Sequence, residues 1–233
     1  MRDVRQRCGF GCVNCGCAII QYHHFDPEYA EATEHRAESI TLLCGTCHDH
    51  VNRGLLGIDE VRLLNGDPKC KRQGFTGDLL FASRDKIHFQ IGSATFRRHA
   101  VLLYEEEVLI GFAPAIDERG PLRLFAKFTD EEGKLLFVIH DNYWSVGVDQ
   151  FDVQTEGRGL TIRKKLGDIV LRMLLNPGGE IVLDRLRMTY AGFHIAIEDG
   201  RFNLTNGRGG RFVLVCPNIH STMRLDRNGG VRV

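Results

Sequence analysis

The sequence predicts a mixed α+β protein, in which a small cysteine-rich domain with short helices and strands precedes an all-β domain. Six of the eight cysteines lie in the first fifth of the chain, which indicates a compact metal-braced unit. Beyond residue 78, short apolar runs alternate with polar residues and no long helical period occurs. Alternation of this kind is typical of half-buried strands, so the second part is expected to consist of β-sheets.

The composition is that of an ordinary folded protein. The 233 residues are 43% hydrophobic and 26% charged, which predicts one or two folded domains and argues against disorder. Lys and Arg number 30 against 30 Asp and Glu, which argues against a histone-like polyelectrolyte. No apolar run reaches the roughly 18 residues that a membrane span needs, and residues 1–8 lack an apolar signal core. We therefore expect a soluble cytoplasmic protein with no membrane partner.

Charge and composition both change between residues 65 and 78. Residues 1–60 hold 5 Arg and 9 Asp or Glu, a net charge of −4, whereas residues 61–72 carry a net charge of +3. Gly and Pro punctuate residues 65–74, and no hydrophobic period crosses them. The predicted organisation is a metal-binding domain over residues 1–66, a linker over 67–77, and a β-rich domain for targeting or association over 78–233.

Short elements are predicted in the N-terminal domain. A strand over residues 18–22 and a buried extended run over 40–43 bracket one or two helical turns over 27–34. A helix should begin near Cys44. A second small helix, over residues 59–65, should be capped by Asp59 and end before Gly66.

Strands separated by Gly, Asp or Asn turns are predicted in the β-rich domain. Residues 122–128, for example, place apolar side chains on one face and Arg123 and Lys127 on the other. Gly133 and Gly179 each open a strand that further short strands follow, which is a faint internal repeat. The pattern favours a sandwich, with a β-solenoid as the alternative. The predicted strands cover residues 86–91, 108–112, 122–128, 134–139, 160–163, 169–175 and 193–197.

Two C-x-x-C pairs carry the metal prediction. Without a secretory signal thiols stay reduced, and two such pairs can hold one tetrahedral Zn(II) from two short turns. The predicted ligands of this structural zinc are Cys12, Cys15, Cys44 and Cys47. The nearby Cys8 and Cys17 are not expected to be ligands. Cys70 and Cys216 are expected to be small buried apolar residues.

Adjacent histidines lie between the two cysteine pairs. On extended backbone His23 and His24 point to opposite sides, so one can face a metal ion while the other faces a substrate. If a helix follows the second C-x-x-C pair, His48 and Asn52 lie four residues apart on one face. Both side chains can then reach a single ion.

Residues 4–57 resemble the HNH endonuclease family, whose ββα-metal core is often braced by a four-cysteine zinc site. The matching segments are residues 5–15 (Arg-Gln-Arg-Cys-Gly-Phe-Gly-Cys-Val-Asn-Cys), the Tyr-His-His of residues 22–24, and residues 40–48 (Ile-Thr-Leu-Leu-Cys-Gly-Thr-Cys-His). The combination is specific, because two C-x-x-C pairs bracket a His-His and the second pair ends in His. The resemblance implies a metal-dependent endonuclease that hydrolyses phosphodiester bonds in DNA.

The resemblance also implies a role for each matching residue. His24 would be the general base that takes a proton from water. His23 and His48 would hold a catalytic Mg(II), Mn(II) or Ni(II), and Asn52 would complete that site. The middle Asn of the family name falls at Ser39, where a hydroxyl donates one hydrogen bond and an amide donates two. A weaker activity or a different metal preference would follow. His35 and His50 match no role and are expected at the surface.

The resemblance continues, with less specificity, into the β-rich half. The matching text there is Ile-His-Asp-Asn at residues 139–142, Asp152-Val, and then a Leu-Thr-Ile-Arg strand. Basic residues of this half are candidates for contacts with the DNA backbone, against the alternative of a solvated strand edge on which lysines block aggregation. They are Arg163, Lys164 and Lys165, with Arg158 and the Arg-Arg-His run at 97–99.

Two functions from different classes stay open. The first is an endonuclease that acts on DNA, with a homodimer as a possible arrangement for cutting both strands. The second is a catalytically inactive zinc-binding module whose β-rich domain binds a partner. The net charge of −4 over residues 1–60 and the serine at position 39 support the second, because phosphate neutralisation supplies most nonspecific affinity for DNA.

Overall fold

The computed structural model describes residues 1–26, 34, 36–80, 83, 87–97, 100–214 and 219–233. Several sequence predictions concern positions outside these residues: most of the helical turns at 27–34, His35, Arg98, His99 and Cys216. The described helices are α1 (Arg2–Cys8), α2 (Gly45–Asn52), α3 (Ile58–Gly66) and α4 (Lys69–Gln73), with a 3-10 turn at Ala37–Ser39. No described helix has the length and apolar character needed to cross a membrane.

Strands account for 49% of the structure and helices for 15%, so the protein is a β-rich α+β structure, as predicted. The strands are β1 (Gln21–His24), β2 (Ile40–Leu43), β3 (Phe75–Leu79), β4 (His88–Ile91), β5 (Ala94–Phe96), β6 (Ala100–Tyr104), β7 (Glu107–Ala113), β8 (Arg123–Thr129), β9 (Leu135–His140), β10 (Tyr143–Gly147), β11 (Asp152–Glu156), β12 (Gly159–Lys165), β13 (Asp168–Asn176), β14 (Glu180–Tyr190), β15 (Phe193–Glu198), β16 (Arg201–Asn206), β17 (Arg211–Leu214), β18 (Met223–Leu225) and β19 (Val231–Arg232).

The chain forms two compact units. The first comprises Met1–Asp78 and Ser145–Thr155, and the second comprises Leu79–Trp144 and Glu156–Val233. Residues 67–77, predicted as a linker, contain α4 and the first part of β3 and belong to the first unit. Residues 145–155, which the alternating pattern placed in the β-rich domain, also belong to the first unit.

The core of the first unit combines apolar residues with cysteines. Helix α1 directs Val4 and Cys8 to one side because they are four residues apart, and both are fully buried. All four residues of β2 are buried, as the apolar run at 40–43 predicts. The buried cluster consists of Val4, Cys8, Cys12, Val13, Ile40, Leu42, Leu43, Cys44 and Cys47.

Two elements of the first unit have boundaries other than those predicted. The first strand occupies Gln21–His24 rather than residues 18–22, and it pairs antiparallel with β2 so that His24 lies opposite Ile40. Helix α3 begins at Ile58 after Gly57, and no side chain caps it. Asp59, the predicted cap, lies in the first turn and forms an ion pair with Arg62 at 2.7 Å.

A buried ion pair fastens residues 145–155 within the first unit. Arg5 donates from Nε to Asp152 Oδ1 at 2.9 Å and from Nη2 to Asp152 Oδ2 at 2.8 Å. The remaining Nη1 donates to the hydroxyl of Tyr22 at 2.8 Å. One guanidinium therefore connects α1, the segment that contains Asp152, and the residue before His23.

The second unit consists of antiparallel hairpins in two sheets. Strands β6, β7, β8 and β9 pair in succession, and β18 adds to β6 in parallel. Strands β12 to β17 also pair in succession, while β4 lies parallel to β14. Rings from the two sheets meet, with centroids 6.4 Å apart for Phe89 and Phe112 and for Tyr104 and Phe193. The sheets are not closed into barrels, and the sandwich and the solenoid both stay predictions.

The Ile-His-Asp-Asn segment at residues 139–142 forms the turn after β9. Asp141 and Asn142 have φ values of 52° and 65°, and the Asn142 amide accepts from the Leu124 N–H at 2.8 Å and donates to the Leu122 carbonyl at 2.9 Å. The Asp141 carboxylate accepts from Arg123 Nε at 2.7 Å. This part of the β-rich half is therefore explained by turn geometry, since Asn and Asp tolerate positive φ.

Candidate metal centre

Four cysteine side chains converge in the first unit. The sulfur atoms of the two C-x-x-C pairs all lie within 4.8 Å of one another, and Cys15 Sγ is 3.6 Å from Cys44 Sγ. Four thiolates around one Zn(II) at about 2.3 Å are separated by about 3.8 Å, so the observed spacing suits a tetrahedral ion. The four cysteines can therefore bind one metal ion such as zinc. They are Cys12, Cys15, Cys44 and Cys47.

Backbone and side-chain N–H groups point at this cluster. Cys44 is the N-cap of α2, and its sulfur accepts from the Cys47 N–H at 3.4 Å. Asn14, between the first two cysteines, donates from Nδ2 to Cys47 Sγ at 3.4 Å. Such donors stabilise thiolate charge and orient metal ligands, so these two N–H groups also suit a bound cation.

The pKa values of the thiols show why a cation is needed to ionise them. A hydrogen bond with Cys15, followed by burial, raises the pKa of Cys12. Although its bond with Cys12 acts in the opposite direction, the pKa of Cys15 is raised to about 12 by a bond with Cys17 and by burial. Burial raises the pKa of Cys47 to about 11. Zinc would stabilise the thiolates, and its uptake would release protons.

The other described cysteines have different partners. Cys8 Sγ lies 3.7 Å from Thr41 Oγ1 in the core, and Cys17 donates to Asp78 Oδ2 at 2.7 Å. Cys70 is fully buried and donates to the Gly16 carbonyl at 3.4 Å. None of the three belongs to the four-sulfur group found among the described residues.

The imidazoles of His23 and His48 face each other edge to plane. Their centroids are 5.0 Å apart at an interplanar angle of 90°. Two imidazoles bound to one ion at about 2.0–2.1 Å have centroids about 4.5–5.2 Å apart for octahedral to tetrahedral angles, so this spacing fits a shared ion. His23 Nε2 is buried and has no hydrogen-bond partner among the described residues. A buried imidazole nitrogen without a donor or acceptor is the kind of atom that a metal ion satisfies.

Burial lowers the pKa of His23, and the neighbouring His48 and His24 lower it further. A lowered pKa keeps the ring neutral, and only a neutral imidazole has a lone pair for a metal ion. The predicted ligand pair is therefore brought together in a state that suits coordination.

Asn52 contacts His48 on α2. Its Nδ2 is 3.2 Å from His48 Nδ1, across one helical turn. With the amide turned by half a rotation, Oδ1 would accept from Nδ1–H and leave Nε2 of His48 free. This contact suits an orienting role for Asn52, and its predicted role as a metal ligand stays a prediction.

Ser39 lies next to the strand that carries His24. It ends the 3-10 turn, is 8% exposed, and its carbonyl accepts from the Phe25 N–H at 3.0 Å. The residue after His24 is therefore held by a hydrogen bond to the backbone of Ser39, not to its side chain. A backbone carbonyl is present whichever residue stands at position 39.

Arg7 is a site residue that sequence reasoning missed. Its Nη2 donates to the carbonyl of Ala37 at 2.9 Å and to that of Ile40, so the guanidinium holds both ends of the 3-10 turn. From sequence, an arginine in a short amphipathic helix is expected to be exposed to solvent. No local sequence pattern connects Arg7 to a turn 30 residues away.

The predicted DNA-contacting residues lie on β12 in the second unit. Lys164 is paired with Glu132 at 2.6 Å and with Glu131 at 3.7 Å, so its charge is already compensated. Arg163 is half-buried and Lys165 is exposed. This cluster offers less free positive charge than its sequence suggests.

The fold and the cysteine cluster define a β-rich α+β protein with a candidate metal centre in its first unit. The chain matches no protein-family model, no curated protein and no solved structure. The fold brings together four cysteine sulfurs and the two facing imidazoles of His23 and His48. A third histidine, His24, is the next residue after His23 on β1.

Proposed function

We propose that the protein is a metal-dependent endonuclease of the HNH type, acting on DNA phosphodiester bonds. The observation that carries the proposal is the pair of facing imidazoles, with His23 Nε2 buried and unpartnered among the described residues. In this proposal His23 and His48 hold one divalent ion, and the four cysteines hold a separate structural zinc. The choice of DNA follows from the resemblance of residues 4–57 to that family.

The three histidines and Asn52 suit the chemistry of phosphodiester hydrolysis. A phosphodiester resists water because its oxygens repel the nucleophile and the departing 3′ oxygen is a poor leaving group. A bound divalent ion would neutralise charge on the phosphate and on that oxygen. His24 is adjacent to His23 on β1 and points to the other side of the strand, where it takes the proton from water. Asn52 keeps the His48 ring in the orientation that its ligand role needs.

Nicking of supercoiled plasmid tests the activity. The zinc-loaded protein should nick DNA when Mg(II), Mn(II) or Ni(II) is added and should stop when a chelator is present. His24→Ala should lower the rate on the order of a hundredfold or more, because it removes the base that accepts the proton. His50→Ala is the matched control, since His50 is an exposed histidine on α2. Cleavage by His24→Ala at the wild-type rate would contradict the assignment of the base.

Calorimetric titration with Ni(II) separates this proposal from an idle zinc module. The wild type should bind one Ni(II) beyond its zinc, and His48→Ala should lose that binding while its zinc content, measured by elemental analysis, stays the same. A wild type that binds no second ion and cuts nothing would favour the module that only binds a partner.

A further inference from the structure

The last part of the chain is strongly basic, although the whole protein is neutral. Residues 201–233 contain six Arg and one Asp, a net charge of +5, so residues 1–200 carry a net charge of −5. This segment forms β16, β17, β18 and β19 of the second unit. Charge of one sign gathered in one segment indicates a surface for a partner of the opposite sign.

Two turns of this segment have the same geometry and bear arginines. In residues 206–210 the Asn206 Oδ1 accepts from the N–H groups of Arg208 at 3.1 Å and Gly210 at 2.7 Å. In residues 226–230 the Asp226 Oδ1 accepts from the N–H groups two and four residues later, at 2.9 Å and 2.8 Å. Each side chain thus fixes its own turn, and the arginines within these turns, Arg208 and Arg227, are exposed.

The two turns pack against each other. Asn206 Nδ2 donates to the Gly229 carbonyl at 2.7 Å, and a side-chain carbon placed on Gly229 would lie 3.6 Å from Arg208 Cδ. The contact places Arg208 beside the turn that contains Arg227. We call the group formed by Arg208, Arg224, Arg227 and Arg232 the arginine surface.

Two members of the arginine surface oppose each other across a strand pair. Arg224 lies directly opposite Arg232 in the antiparallel register of β18 and β19, and both are exposed. They line a groove of about 270 Å³ together with Glu105, Leu225 and Asp226. Like charges in this position destabilise a strand pair, so an anion in the groove would relieve the repulsion.

The acids of the groove have other partners. Glu105 accepts from the N–H and Nε of Arg227 at 2.7 Å and 3.3 Å, and Asp226 is used by its own turn. Among the described residues, no carboxylate forms an ion pair with Arg208, Arg224 or Arg232. Three guanidinium groups of the surface are therefore available.

A third turn of the same kind shows the opposite charge. In residues 130–134 the Asp130 Oδ1 accepts from the N–H groups of Glu132 at 3.0 Å and Lys134 at 2.8 Å. This turn bears Glu131 and Glu132, which neutralise Lys164. Because one turn geometry occurs with acidic and with basic residues, the geometry does not require arginines, and their presence in two turns needs another explanation.

We propose that the arginine surface binds the phosphate backbone of DNA. Guanidinium groups match phosphate oxygens in pairs, and several of them spread over two hairpins suit an extended chain of phosphates better than one small anion. The proposal rests on the proposed function only for the choice of DNA. It supplies the positive charge that the first 60 residues, at a net −4, do not have.

Fluorescence anisotropy with a labelled DNA duplex tests the proposal on the full zinc-loaded chain without added Mg(II), Mn(II) or Ni(II). Arg224→Gln/Arg232→Gln should weaken binding about tenfold or more, and the slope of log affinity against log salt should fall by about 1.8. Arg119→Gln/Arg185→Gln is the matched control, because it removes the same charge from exposed residues of the second unit. It should change affinity less than about twofold.

Three outcomes would overturn the proposal: equal losses in both double variants, a larger loss in Lys164→Gln/Lys165→Gln, or binding to phosphatidylserine vesicles with none to DNA. Circular dichroism of each variant shows whether the sheets are intact. The variant Arg224→Lys/Arg232→Lys keeps both positive charges and should therefore retain the salt slope of the wild type. A wild type that binds DNA through the arginine surface but never nicks plasmid would reject the nuclease and keep the surface. If the wild type nicks plasmid and the arginine variant binds DNA as tightly as the wild type, the nuclease is kept and the arginine surface is rejected.

Discussion

The first unit buries cysteines where the second buries aromatic rings. Four of the nine residues in the core cluster of the first unit are cysteines, and its helices span only five to nine residues. Among the largest fully buried side chains of the described residues, all the phenylalanines belong to the second unit: Phe89, Phe96, Phe128, Phe137, Phe193 and Phe202. A small unit with little apolar area needs a metal or another strong bond, whereas a large sheet core does not. The candidate catalytic residues lie in the unit whose core is rich in cysteines.

The largest expected effect comes from removing one sulfur. Cys44→Ser should lose zinc and unfold the first unit, because a structural zinc contributes on the order of 10 kcal/mol to a small domain. The β-sheet signal in circular dichroism should remain, since the second unit has its own core. Elemental analysis and hydrogen exchange over residues 1–78 measure the two effects.

Cys17→Ser is the control for that experiment. Its sulfur donates to Asp78 and lies outside the four-sulfur group, and a serine hydroxyl can make the same hydrogen bond. Zinc content should be that of the wild type. A wild-type protein that is folded over residues 1–78 but contains no zinc would remove the distinction between the two units.

Local spacing explains which parts of the site were predictable. The C-x-x-C pairs and the adjacent histidines are short patterns whose geometry follows from a turn, a strand or a helix, so their grouping is readable from sequence. Alternating residues predicted strands such as β8 and β9 for the same reason. Contacts between distant residues leave no such pattern. Arg5 and Asp152 are 147 positions apart, and the two turns of the arginine surface meet through Asn206 and Gly229, 23 positions apart.

The second largest effect should come from the buried ion pair of the first unit. Asp152→Asn leaves the Arg5 guanidinium buried without its counter-charge, which is expected to lower the free energy of unfolding of this unit by about 3–5 kcal/mol. Hydrogen exchange over residues 1–24 measures the loss. The double variant Arg5→Met/Asp152→Leu removes both charges and should recover most of the stability.

The double variant separates the effect of charge at this position from the effect of side-chain shape. If it remains as unstable as Asp152→Asn, shape at this position matters more than charge, and the bridge to Tyr22 is the part that the unit needs. If the single variant melts like the wild type, the first unit is stabilised by its metal alone.

Under the proposed endonuclease function, the smallest effect is expected at Ser39, which stands where the HNH family has Asn. The Ser39 carbonyl, which accepts from the N–H of Phe25, belongs to the backbone and survives any substitution. Ser39→Asn adds one side-chain donor close to the strand that carries His24. Cleavage should therefore be preserved or rise by about twofold to tenfold, which corresponds to one net hydrogen bond.

Ser39→Ala distinguishes a side-chain role from a backbone role at this position. It keeps the carbonyl and removes the hydroxyl, so a nicking rate close to that of the wild type assigns the support of the loop to the backbone. A severe loss of cleavage in Ser39→Asn, with zinc content and melting temperature unchanged, would show that the position has no room for an amide. Since Ser39 is 8% exposed and Arg7 holds the same turn through Ala37, steric exclusion of the amide would then be the physical reason for serine here.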